Sequence, residues 1–127
     1  MTYNMKEIVI NLLQQNKISP ELAIISEDVL SRLQKSIVVS DREELVEHST
    51  VLKIYTRREE NLRRQGVKCA GLVETLAAIR SNEIQFKIVV FANEDSMTTI
   101  FISRSNDYVL GMFYMPIDKK TFNRIKP

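Results

Sequence analysis

An α+β fold is expected from this sequence: three or four N-terminal helices packed on one face of a C-terminal three-stranded antiparallel β-meander. Three observations support it. The last third holds three runs rich in β-branched and aromatic residues, Ile84 to Ala92, Thr98 to Arg104 and Tyr108 to Met115. Short connections of turn formers separate them, Asn93-Glu94-Asp95-Ser96-Met97 and Ser105-Asn106-Asp107, and such connections suit antiparallel neighbours. The preceding 81 residues instead carry apolar side chains at helical spacing.

Met5, Ile8, Val9, Leu12 and Leu13 define an amphipathic first helix that ends near Asn16. Ser19-Pro20-Glu21 supplies an N-cap, a proline at the first helical position and an acid in the first turn. Leu22, Ile25, Val29, Leu30 and Leu33 continue a second helix, which Ser26-Glu27-Asp28 could restart one turn later. Ile37-Val38-Val39 reads as a short strand or an apolar connector. Ser40-Asp41-Arg42-Glu43 has the spacing of a capping box. From it a long third helix is expected to run to Gln65, with Gly66 stopping it and Ser49-Thr50 as a potential break. A fourth helix would carry Cys69, Leu72, Val73, Leu76 and Ala77 on one face and end at Ser81-Asn82.

The 127 residues suit a single domain, mainly helical over 1–81, with the meander and a tail over 82–127. An apolar fraction of 44% and a charged fraction of 27% are ordinary for a globular protein and leave no low-complexity tract. Neither a secretion signal nor a membrane-length apolar run is visible. A single cysteine excludes an internal disulfide and suits a reducing compartment, so a cytoplasmic domain is expected. Charge is uneven. Residues 1–50 carry five basic and eight acidic side chains, residues 51–81 seven and three, and residues 82–127 six and five.

Strict alternation would set Val89, Phe91, Phe101, Val109, Phe113 and Met115 on the sheet face away from the helices, as a partner-binding surface. The alternative is that the protein's own helices sandwich the sheet. The third helix offers a second surface. Lys53, Arg57 and Arg64 form a basic stripe opposite its apolar side, extended by Arg58 and Lys68, of the kind that phosphate binding requires. A solvated face with Glu60 paired to Arg64 explains the same residues.

No catalytic, cofactor-binding or metal-binding constellation stands out. His48 and Cys69 could pair as base and nucleophile only if the fold joined them, and core positions account for both. Asp41, Glu43, Glu44 and Glu47 read as capping and dipole complementarity, Glu94 and Asp95 as a hairpin turn. Gly66, Gly71 and Gly111 form no phosphate loop. The sequence therefore favours a small non-catalytic protein-binding module, with inhibitors and bacterial toxin-neutralising immunity proteins as one setting. A nucleic-acid-binding regulator using the basic helix and a self-associating homodimer are the alternatives. No membrane partner is expected.

Overall fold

The computed structural model describes residues 4–22, 27–105 and 107–127. Ile25 and Ser26 of the expected second helix, Asn106 of the expected turn, and Met1, Thr2 and Tyr3 lie outside them. In chain order the elements are α1 (Met5–Gln14), α2 (Glu27–Gln34), β1 (Ile37–Glu47), α3 (His48–Arg64), β2 (Lys68–Ala70), α4 (Leu72–Ala78), β3 (Glu83–Ala92), β4 (Ser96–Ser103), β5 (Val109–Pro116) and α5 (Lys119–Ile125). A single 3-10 turn over Pro20–Leu22 lies where the second helix was expected to begin. No helix among the described residues is long and apolar enough to cross a membrane.

The meander forms as expected, β3 to β4 to β5, but it is the middle of a larger sheet. All five strands are antiparallel, in the order β1-β3-β4-β5-β2. The side chain of Asn93 makes the first hairpin by accepting the backbone N–H groups of Asp95 and Ser96, both at 2.8 Å.

The largest departure from expectation is residues 40–47. They are strand, not helix, and β1 pairs with β3 from Ile37 opposite Ala92 to Glu47 opposite Glu83. Of the acids expected to cap a helix, Asp41 and Glu43 bind cations from beyond their own strand, while Glu44 pairs with Arg42 at 3.5 Å on the same strand. Lys87 on β3 reaches Asp41 at 3.4 Å and Glu43 at 3.7 Å, and Arg104 reaches Glu43 at 3.2 Å. Helix begins only at His48. Cys69 lies in β2, opposite Phe113, and α4 starts three residues later than the fourth helix was placed. The tail contains α5, capped by Asp118, whose carboxylate accepts the Thr121 N–H at 2.7 Å. Hydrogen bonding by the Thr121 hydroxyl first, and by this N–H second, holds the Asp118 carboxyl below its usual pKa.

Helices cover both sheet faces, not one. On one face, Val9, Leu12 and Leu13 of α1 and Leu33 of α2 pack with Val89, Phe91, Ile100, Ile102, Val109 and Met112. Lys6 fastens these two helices by donating to the Gln34 and Ser36 carbonyls at the end of α2, at 2.7 and 2.8 Å. On the other face, Val51 and Tyr55 of α3 and Leu72 and Leu76 of α4 pack with Ile84, Phe86, Ile88, Phe101, Leu110 and Phe113.

Strand β5 changes hand midway. Phe101 faces Gly111 while Ile102 faces Val109, so Leu110 is an extra residue and alternation restarts beyond it. Gly111 is needed here for space. A Cβ at that position would lie 2.5 Å from the backbone N of Leu72, because the first turn of α4 rests directly on the strand.

Candidate functional site

The sheet residues expected to bind a partner are interior. Val89, Phe91, Phe101, Val109 and Phe113 are buried and Met115 is partly buried. Nor do they share a face. Val89, Phe91 and Val109 point toward α1 and α2, whereas Phe101, Phe113 and Met115 point toward α3 and α4. Two features undo the assumed face. Pairing sets Val89 opposite Ile100, leaving Phe101 beside Ile88, and the extra residue at Leu110 puts Val109 and Phe113 on opposite sides. The docking surface read from alternation is therefore corrected to a pair of internal cores.

The basic residues fare differently. Helix α3 turns Val51, Tyr55 and Glu59 inward, while Lys53, Arg57, Arg58 and Arg64 are exposed, as is Lys68 at the start of β2. None of these five cations forms an ion pair among the described residues. The alternative pairing of Glu60 with Arg64 is not made. Arg64 instead donates to the side-chain oxygen of Asn61 at 3.3 Å. Lys53, Ile54, Arg57, Arg58 and Asn61 surround a shallow depression of about 380 Å³, in which Ile54 is 47% exposed. The Arg58 guanidinium stands 4.8 Å from the centre of the Tyr55 ring. Burial raises the Tyr55 hydroxyl above its ordinary pKa, against the pull of Arg58.

The other candidates are resolved by position. His48 opens α3 and donates from Nε2 to the Leu76 carbonyl near the end of α4. Cys69 lies beyond the other end of α3, where Arg63 donates to its carbonyl at 3.2 Å. A helix of about 25 Å separates the two, so His48 and Cys69 do not pair as base and nucleophile. Burial first, then the Glu59 carboxylate, raises the Cys69 thiol pKa, the opposite of what a reactive cysteine needs. No group of three or more acidic, histidine or cysteine residues that could hold a metal occurs among the described residues.

Glu59 is a buried carboxylate, 2% exposed, that the sequence reading did not single out. Its Oε2 pairs with Arg63 at 3.2 Å, while Oε1 closes no well-formed hydrogen bond. Burial raises its pKa, with Arg63 and the Val73 N–H pulling it down and Glu74 adding to the rise. The site is structural: Glu59 ties α3 toward the start of α4, where Gly71 provides no capping side chain.

The sequence also hid a cleft of about 650 Å³ at the end of the sheet where β4 turns into β5. Ile18, Ile79, Ile84 and Leu110 provide apolar lining, and Tyr108, 42% exposed, is part of the wall. Hydroxyls converge on it, those of Ser19, Thr75 and Ser103 from buried residues and that of Ser105 from an exposed one. Thr75 donates to Ser19 at 3.0 Å, and Ser103 bonds Ser105 at 2.9 Å. Arg80 and Glu83 are exposed charges on its lining. Residues from five stretches of chain meet here, and no local spacing announces them.

Comparison of the chain with protein families, with curated proteins and with solved structures finds no match.

Proposed function

We propose that this protein is a non-catalytic binding module that holds an acidic protein partner against the outward face of α3. The observation that supports this reading most is the row of cations along the helix beside exposed Ile54, none of them paired with a carboxylate among the described residues. An apolar anchor inside a charged rim suits a protein surface, where the apolar contact gives residence and the charges give steering and register. A nucleic acid would use the same cations, but stacking platforms strengthen single-strand binding and Tyr55, the aromatic residue of this helix, is turned inward. Occupying a partner's acidic surface is how an inhibitor or a toxin-neutralising immunity protein of a bacterium would act. A cytoplasmic setting fits the lone protonated thiol.

Self-association through the sheet is less favoured on physical grounds. The long edge strand β1 exposes Asp41, Arg42 and Glu43 at its middle. Two-fold pairing about Arg42 would set Asp41 against Glu43, the arrangement by which edge strands discourage such contacts.

Calorimetric titration separates these readings, using a glutamate-rich peptide with one central leucine and, in parallel, an oligodeoxynucleotide of equal charge. The peptide is expected to bind more tightly and to weaken with added salt. Arg57→Glu combined with Arg64→Glu should lower its affinity by about tenfold at low salt, and Ile54→Asp should lower it further. Tighter binding of the oligonucleotide would transfer the surface to nucleic acid. Binding indifferent to all three substitutions would remove α3 from the interaction.

A further inference from the structure

We propose that the cleft at the β4–β5 end is a second binding site, for a small organic acid with an apolar body. The inference is independent of the role given to α3, since the two surfaces share no residue. Its volume, about 650 Å³, falls within the range typical of small-molecule pockets. Most of the surface the lining presents is apolar, as such pockets require, although nine of its sixteen described residues are polar. Ile18, Ile79, Ile84 and Leu110 come from four different segments and offer an apolar bed. The Thr75–Ser19 and Ser103–Ser105 hydroxyl pairs lie along it, where aliphatic side chains would otherwise have closed the space.

Charge decides the head group. Arg80 lies in the irregular segment after α4 and forms no ion pair among the described residues. A guanidinium presents several donors in a planar fork, the natural complement of a carboxylate. Glu83, the one carboxylate among the described lining residues, also contributes to the neighbouring depression beside Glu47 and His48. Its presence selects against ligands of high negative charge and leaves a single carboxylate as the best match to Arg80. The ligand class is therefore a monoanion whose aliphatic or aromatic body lies on the isoleucine and leucine bed, its acid group meeting Arg80.

Hexanoate, hexanol and hexylamine share one apolar chain and differ in head-group charge, so they test each part of the proposal. Each is titrated into the protein while backbone amide shifts are followed. Hexanoate should bind most tightly, hexanol by about threefold less and hexylamine least, with the largest shifts at Ser19, Thr75 to Gln85 and Ser103 to Leu110. Arg80→Gln, at an exposed position, should reduce hexanoate to the affinity of hexanol and leave hexanol unchanged. Ala78→Trp, also exposed and on the lining, should abolish the shifts for all three. Equal binding of the three compounds, preference for hexylamine, or shifts outside these residues would overturn the proposal. So would hexanoate binding unaltered by Arg80→Gln.

Discussion

The two faces of the sheet are both sealed, but by different chemistry. Toward α3 and α4 the core is built on rings. Tyr55 meets Phe101 edge to face at 5.5 Å between centres, and Phe101 meets Phe113 in the same way at 4.9 Å. Toward α1 and α2 the core is aliphatic, with Phe91 its one phenylalanine among leucine, valine, isoleucine and methionine. Edge-to-face rings add directional attraction to area burial, whereas aliphatic packing depends on filled volume alone. The aromatic side is therefore the one that a single truncation should damage most.

Phe101→Ala should carry the largest cost, about 4 kcal/mol, because it opens a cavity and severs contacts with Tyr55, Phe86 and Phe113 at once. Chemical denaturation measures it directly. Leu33→Ala on the aliphatic side should cost about 3 kcal/mol, for a side chain equally shut off from solvent. If the leucine truncation proves the more damaging, the contrast between the faces fails.

The smallest effect should come from Glu59, which lies on the aromatic side. Its folded pKa is raised, so the sign of the pH dependence is fixed. Below the ordinary carboxylate range it is protonated in both folded and unfolded states and has no effect. As pH rises from there toward the folded value, the unfolded chain releases its proton first and stability falls. Glu59→Gln removes this loss. The variant should gain on the wild type in urea midpoint as pH climbs from about 4 toward 7. A change of opposite sign would show that Arg63, not burial, governs the group.

How much of this was legible in the chain depended on whether a segment carries its own signal. The meander was readable because β3, β4 and β5 are each dense in β-branched and aromatic residues and joined by local turns. The α+β class followed from that. Strand β1 was not readable, since an edge strand facing water on much of its surface keeps a polar sequence. Asp41 and Glu43 look like helix-start residues until Lys87 and Arg104 are placed beside them. Strand β2 has three residues, too few for any pattern to register. The extra residue at Leu110 was equally silent, and it split Val109 and Phe113 between the two faces.

The candidate sites divide along the same line. Exposure of Lys53, Arg57 and Arg64 together is a property of one helix, and helical spacing revealed it. The cleft is a property of segments distant in the chain, and only the assembled fold brings Ser19 to Thr75.

Gly111 has a reach beyond its own strand. With no side chain between β5 and the backbone of Leu72, the start of α4 is seated as low on the sheet as a helix can go. Helix α4 is about 10 Å long, and its far end supplies Ala78 to the lining of the cleft, with Ile79 and Arg80 just beyond. The helix thus behaves as a short lever whose resting height is fixed by one absent methyl group. Adding that methyl would tilt the lever, and the aperture at its other end would change without any residue there being touched.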